Sequence, residues 1–209
     1  VSAPWGLRLP RSFFDRSPDA VAPDLLGRVV RHRTEDGSVA VRLTEVEAYA
    51  GVGEDPASHA FRGPTPRNAS MFAHPGTCYV YFTYGMHWCA NLVCGPRGSA
   101  GAVLLRAGRV VEGEELARSR RPAARGSVDL AQGPARLAVS LGVDGAVDGV
   151  DVCARGSALT VLDGQVGDRS EPAAGSRVGV GESGAHTQWR YWTRGDPTVS
   201  RYRPGRGRS

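Results

Sequence analysis

The sequence predicts an α+β fold: a single domain around a curved, mostly antiparallel sheet with a protruding β-hairpin. Three observations carry this reading. Short apolar runs separated by turn residues recur along the chain, and such runs read as strands. Two of the junctions, Asp36-Gly37 and Tyr84-Gly85, fall between apolar runs where a hairpin must reverse. The 209 residues contain no linker-like stretch and no internal repeat, so one core is the default.

Residues 1–24 are rich in Pro and Arg around the Phe13-Phe14 patch, and read as an N-terminal arm or first helix. Strands are expected at 25–30 and 39–49, then a long loop over 51–76, where Gly, Pro, Asp and Asn are too dense for regular structure. Tyr79–Phe82 and Trp88–Val93 should flank the hairpin tip, with a further strand at Ala102–Ala107. Helical composition covers Glu112–Arg121, and a second helix should open at Pro134, bury Leu137, Val139 and Leu141, and stop at Gly142. Strands return at Leu159–Leu162, Arg177–Val180 and Trp189–Thr193. The body of the domain thus spans 25–200, and 201–209 is a basic tail of disordered composition.

A net charge of +5 and a pI near 9.4 suit a polyanionic partner. All 26 basic residues are Arg, so no lysine amine can form a Schiff base. Cys78, Cys89, Cys94 and Cys153 form no C-x-x-C pair, which points to free thiols in a reducing compartment and to no metal site. There is no phosphate-binding loop, G-x-S-x-G elbow or H-E-x-x-H motif, and no cofactor is expected. With no long apolar run and no signal-peptide pattern, the expectation is a cytoplasmic protein without a membrane anchor.

The strand 39–49 holds the most informative pattern. A period of two places Val39, Val41, Leu43, Glu45, Glu47 and Tyr49 on one face, so two carboxylates continue an apolar face. A buried carboxylate is either paired with arginine or used as a base, and pattern does not choose between Glu45 and Glu47. Tyr79 and Tyr81 share one side of their strand and Phe82 takes the other. Tyr84, at the hairpin tip, is either packed on a neighbouring loop or displayed as a wedge toward a partner. His59 lies in the long loop with no partner at defined spacing.

Taken in order, Glu45-Val46-Glu47-Ala48-Tyr49, Thr65-Pro66-Arg67-Asn68 with Met71-Phe72, Pro75-Gly76-Thr77-Cys78-Tyr79-Val80-Tyr81, Tyr84-Gly85-Met86, Asn91 and Val103-Leu104-Leu105-Arg106-Ala107 resemble the alkyladenine (3-methyladenine) DNA glycosylase family, from about Leu25 to Ser200. The resemblance implies a monofunctional enzyme that flips alkylated or deaminated purines out of double-stranded DNA and hydrolyses the N-glycosidic bond. It implies that Glu47 activates the water, with Arg106 near the water and the target phosphate. Tyr49, His59 and Tyr81 would hold the flipped base, and Asn91 would form the pocket floor. Tyr84 would fill the gap in the duplex, with Met86 and Arg67 also on the DNA side. The expected partner is duplex DNA containing damaged purines, bound by a monomer associated with the nucleoid. Two departures stand out: one extra residue between Tyr49 and His59, and His87-Trp88 in place of other aromatics. They leave room for a glycosylase of bulky natural-product adducts, and a non-catalytic binder of distorted DNA is the alternative from a different class.

Overall fold

The structure, a computed structural model, describes residues 5–164 and 172–205. Two short helices, α1 (Arg11–Phe14) and α2 (Pro18–Leu25), precede β1 (Val29–Thr34) and β2 (Gly37–Tyr49). After the long loop come β3 (Cys78–Thr83), β4 (His87–Cys94) and β5 (Gly101–Glu112), then α3 (Glu114–Arg120) and α4 (Pro134–Leu141). β6 (Leu159–Leu162), β7 (Pro172–Gly175), α5 (Glu182–Ala185) and β8 (Arg190–Thr193) complete the described chain.

Every strand pairing is antiparallel. The sheet runs β3-β4-β5-β2-β1-β6, with β8 joined to β2 and β7 at the side. β2 is its spine: one edge pairs with β5, and the other pairs first with β1 at 37–42 and then with β8 at 45–47. A strand covered on both faces is buried continuously, and β2 is buried from Val39 to Ala48 apart from half-buried Arg42.

One face of the sheet carries the main core. α2 packs on β2, and α4 packs on β4 and β5. Pro134 opens α4 and Gly142, at φ 70°, closes it, as the sequence predicts. Its buried stripe is Leu137, Ala138 and Leu141, whereas Val139 faces outward. Each buried leucine is worth about 1.5–3 kcal/mol.

Several boundaries differ from expectation. Leu25 closes α2 rather than opening a strand, and β1 begins at Val29. Residues 11–24 are integral to the domain, because Phe14, Val21 and Ala22 lie in the main core. Arg177–Val180 forms no strand: the Arg177 side chain and the Val178 N–H are bonded to other partners, and Gly179 turns at φ 71°. Of the tail, 201–205 lies beside this loop, where the Arg203 carbonyl accepts the Gly179 N–H at 2.9 Å. Residues 206–209 lie outside the described region.

The alternation along β2 is broken as well. Leu43 pairs with Gly108 but Glu45 pairs with Ala107, so Thr44 is an extra residue, a β-bulge. The core face therefore runs Val39, Val41, Leu43 and then Val46, Ala48. Glu45 and Glu47 are thereby turned to the opposite face and do not continue the apolar one. Gly108 permits the close approach, since a Cβ there would sit 2.3 Å from the Arg42 carbonyl oxygen.

Candidate active site

The opposite face of the sheet lies beneath the long loop, where Tyr79, Val93 and Ala102 pack with Ala60 and Met71. Here a small cavity of about 70 Å³ is lined by Tyr49, Ala57, His59, Met71, Tyr79, Tyr81, Asn91 and Ala102. It adjoins a wider cleft of about 470 Å³ that shares Tyr49, Ala57, His59 and Tyr81 and also reaches Tyr84, Arg106 and Val178.

Strand geometry sets the aromatic walls. Tyr79 and Tyr81 project together from β3 and stack with centroids 5.7 Å apart. His59 meets Tyr81 edge-on at 4.5 Å, and its Nδ1 lies 3.0 Å from the Tyr79 hydroxyl. Burial, with the charge of Arg67, lowers the His59 pKa, so the ring is neutral near pH 7. Asn68 organises the loop that presents it. Its side-chain amide donates to the His59 and Gly63 carbonyls, and its oxygen accepts the Thr65 N–H. Asn91, paired with Tyr79 across β3 and β4, donates to the Tyr79 carbonyl at 3.1 Å and lines the cavity.

Below these walls sits a charged cluster. A second bulge, opposite the first, makes Arg106 the extra residue of β5 and aims it at both carboxylates. Its Nε donates to Glu45 Oε1 at 2.9 Å and its Nη1 to Glu47 Oε2 at 3.2 Å. Glu45 also receives Arg190 Nε at 2.7 Å, the Ser200 N–H at 2.7 Å and the Ser200 hydroxyl at 2.9 Å. Glu47 receives the Tyr49 hydroxyl at 2.8 Å and the Val178 N–H at 2.6 Å.

The two carboxylates are equally buried but unequally compensated. Burial alone raises Glu45, yet Arg106, Arg190 and Ser200 outweigh it and hold the carboxyl below the usual carboxylate range. Burial raises Glu47 too, and Arg106, Val178 and Tyr49 do not fully offset it. Glu45 is thus a fixed anion in a structural ion pair, and Glu47 is the group able to take a proton. The groups that cap Glu47, namely Tyr49, Arg106 and Val178, all line the cleft.

The hairpin tip stands at the cleft mouth. Tyr84 and Gly85 both have positive φ, 51° and 65°, as the central residues of a primed turn require. A tyrosine held at positive φ costs about 1–3 kcal/mol, and Tyr84 is nonetheless 88% exposed. Met86 is exposed beside it. Arg67 is exposed and donates to the Phe82 carbonyl at 2.5 Å, joining the loop to the hairpin.

The residues picked out by the sequence therefore meet on one face: Glu47, Tyr49, His59, Tyr81, Asn91 and Arg106 around the cavity and cleft, with Tyr84, Met86 and Arg67 at the rim. Sequence reasoning missed Tyr79 as a partner of His59, although its two-residue spacing from Tyr81 was the signal. It also missed Asn68, whose bonds to His59, Gly63 and Thr65 are local to the loop, and Val178, Arg190 and Ser200, which gain their meaning from contacts distant in sequence. Among the described residues no cluster of His, Cys, Asp or Glu is placed to hold a metal ion. No helix among them is long and apolar enough to cross a membrane.

The chain matches the family model described as methylpurine-DNA glycosylase (MPG) over residues 12–197. It is 55% identical over 204 residues to a Streptomyces avermitilis protein, covering 97% of this chain and 95% of that one. It is 52% identical over 199 residues to a Leifsonia xyli protein, covering 92% of each. A Frankia casuarinae protein is 49% identical over 207 residues, covering 93% of this chain and 92% of its own length. All three bear the name "Putative 3-methyladenine DNA glycosylase".

The unequal carboxylates predict unequal stability effects. Glu45→Gln strips a buried anion from Arg106 and Arg190 and should cost about 3–5 kcal/mol, lowering the melting temperature by roughly 6–20 °C. Because the folded pKa of Glu45 is depressed, its stabilisation is present above the unfolded carboxylate pKa and is lost as pH falls through the folded value; the variant should show less of this acid loss. Glu47, with a raised folded pKa, loses stability as it ionises on rising pH, so Glu47→Gln should cost less. Thermal melts from about pH 2 to 8, a range that spans the unfolded carboxylate pKa and the depressed folded one, check this, and equal drops for the two variants would contradict it.

Proposed function

The chain belongs to the methylpurine-DNA glycosylase family, and from that premise we propose that it flips alkylated and deaminated purines out of duplex DNA and hydrolyses their N-glycosidic bond with Glu47 as the base. It is a DNA glycosylase of the 3-methyladenine type, a hydrolase of N-glycosyl bonds that binds DNA and serves base excision repair. The finer reading covers 3-methyladenine, 7-methylguanine and hypoxanthine as substrates, acted on by a monomer at the nucleoid. One observation carries it: a buried carboxylate with a raised pKa, capped by Tyr49, Arg106 and the Val178 N–H, sits behind the aromatic-walled cleft those groups line.

In this mechanism the flipped base enters between Tyr49 and Tyr81, with its edge against His59 and Asn91. As the C1′–N bond breaks, its electron pair leaves with the base and the sugar gains oxocarbenium character. A nearby carboxylate stabilises that charge, and Glu47 takes the proton of the water that attacks C1′. Arg106 keeps Glu47 oriented and offers its charge to the target phosphate. A cationic alkylated purine leaves as a neutral base without protonation, whereas hypoxanthine needs a proton. Glu45 cannot supply it, because its arginines keep it ionised. With no lysine in the chain, no side-chain amine can attack C1′ and only the α-amino group could substitute, so the expected product is an intact abasic strand.

Duplexes that each carry one defined lesion test the reading directly. The wild type should release 3-methyladenine, 7-methylguanine and hypoxanthine, and borohydride should trap no covalent adduct. Asn91→Ser should raise release of guanine relative to hypoxanthine. Release confined to bulky adducts would overturn the substrate assignment.

Tyr84 should act as the wedge that occupies the vacated stack. Flipping costs a few kcal/mol, which an inserted aromatic partly offsets. Tyr84→Ser should therefore reduce flipping, reported by a fluorescent base beside the lesion, and slow excision. Its melting temperature should hardly change, because the side chain is 88% exposed. Wild-type flipping amplitude would rule the wedge out.

A further inference from the structure

Away from the carboxylate cluster, the structure buries another ion pair with no part in the steps above. Arg177 and Asp55 are only 1% and 3% exposed. Arg177 Nη1 donates to Asp55 Oδ2 at 2.5 Å and to the Ala48 carbonyl at 2.9 Å, and Nη2 donates to Asp55 Oδ1 at 2.9 Å. The guanidinium lies over the Tyr49 ring at 4.6 Å and the Trp189 ring at 5.4 Å. Gly184 seals the site, since a Cβ there would meet Arg177 Nη2 at 3.1 Å and Ala57 at 3.0 Å. Desolvating two charges is costly, so a pair this dry is a weak source of stability and calls for another reason.

The reason lies in what the pair joins. Asp55 also accepts the Ala50 and Ala57 N–H groups, shaping the loop that carries Ala57 and His59 to the cavity. Arg177 directly precedes Val178, whose N–H bonds Glu47. We propose that Arg177 and Asp55 are positioning residues: they lock together the two loops flanking the cleft, hold the Tyr49 ring in place and keep the Val178 N–H on Glu47. The proposal rests on Glu47 being the base.

Charges around Glu47 let positioning be told apart from simple electrostatics. Facing it are Glu45 and Tyr49 of β2, Arg106 of β5 and the Val178 loop, with Arg190 of β8 behind Glu45 and Tyr81 of β3 across the cavity. Arg177 and Asp55 lie beyond Tyr49 and Val178, with the Arg177 charge itself acting on Glu47, so Arg177→Met raises the Glu47 pKa on either account and only the Asp55 variant separates them. Removing the negative charge of Asp55 would, through space alone, favour ionised Glu47 and lower its pKa. Loss of positioning does the reverse: a freed Val178 N–H leaves the carboxylate with one donor fewer, and the pKa rises.

The test is a ¹³C-carboxyl NMR titration of Glu47, assigned by its absence in Glu47→Gln, in the full-length wild type, Asp55→Asn and Arg177→Met. Both variants should titrate at higher pH than the wild type. Single-turnover base release should fall roughly tenfold on the acid side, the worth of one charge-assisted hydrogen bond, and converge with the wild type at alkaline pH. Titration of Asp55→Asn at or below the wild-type pH, or an equal rate loss at every pH, would overturn the proposal. If Arg177→Met fails to fold, the near-isosteric Asp55→Asn decides alone. The titration needs no catalysis, so a wild type that releases no base would refute the proposed function separately.

Discussion

Two buried carboxylates share one arginine, and the rest of the site depends on how unequally they share it. Arg106 reaches both Glu45 and Glu47 because two facing bulges, Thr44 on β2 and Arg106 on β5, turn these side chains to the same side of the sheet. Without those bulges a period of two would leave the glutamates on the core face with Leu43, where an ionised carboxylate costs several kcal/mol. With them the charges leave the core face for the side on which Arg106 lines the cleft, and a second arginine, Arg190, goes to Glu45 alone. One carboxylate is thereby committed to structure, and the other has its pKa raised by burial that its partners do not fully offset. This is the pairing of environments from which acid–base roles arise.

The remaining features bring a substrate to that group. The aromatic walls come from the regular alternation of β3, and the loop held by Asn68 brings His59 against them. The hairpin places a strained, exposed tyrosine at the mouth of the same cleft. The positive φ of Tyr84 is set by the primed turn that closes β3 and β4, and the same turn leaves its ring in solvent at the mouth of the cleft. Because the caps of Glu47 line the cleft, whatever enters the cleft meets the groups that set its ionisation.

Much of this was legible in the sequence where the signal is local. Pro134 and Gly142 bound α4, Tyr84-Gly85 marks the turn, and Tyr79 and Tyr81 share a face by period alone. The choice of Glu47 over Glu45 came from family resemblance, and the geometry supplies its physical counterpart in the second arginine on Glu45. Thr44 was not legible as a bulge, since threonine is an ordinary strand residue. Gly108, inside an apolar run, was the available hint of a close approach. Arg177–Val180 looked like a strand because its apolar spacing is strand-like, yet the Val178 N–H goes to Glu47, the Gly179 N–H goes to the Arg203 carbonyl, and Gly179 turns at positive φ. Asp55, Arg190 and Ser200 carried no local signal, for their partners lie 145 or more residues away for Arg190 and Ser200, and 122 for Asp55.

The central claim is that Glu47 alone of the two carboxylates acts on the water. Single-turnover base release from a duplex bearing one 3-methyladenine or hypoxanthine, measured for Glu47→Gln and Glu45→Gln well below their melting temperatures, tests it most directly. Glu47→Gln should bind the lesion duplex as the wild type does and lose excision by about 100-fold or more, while Glu45→Gln, once folded, keeps most of the rate. Comparable losses in both variants, or near-normal excision by Glu47→Gln, would contradict the account.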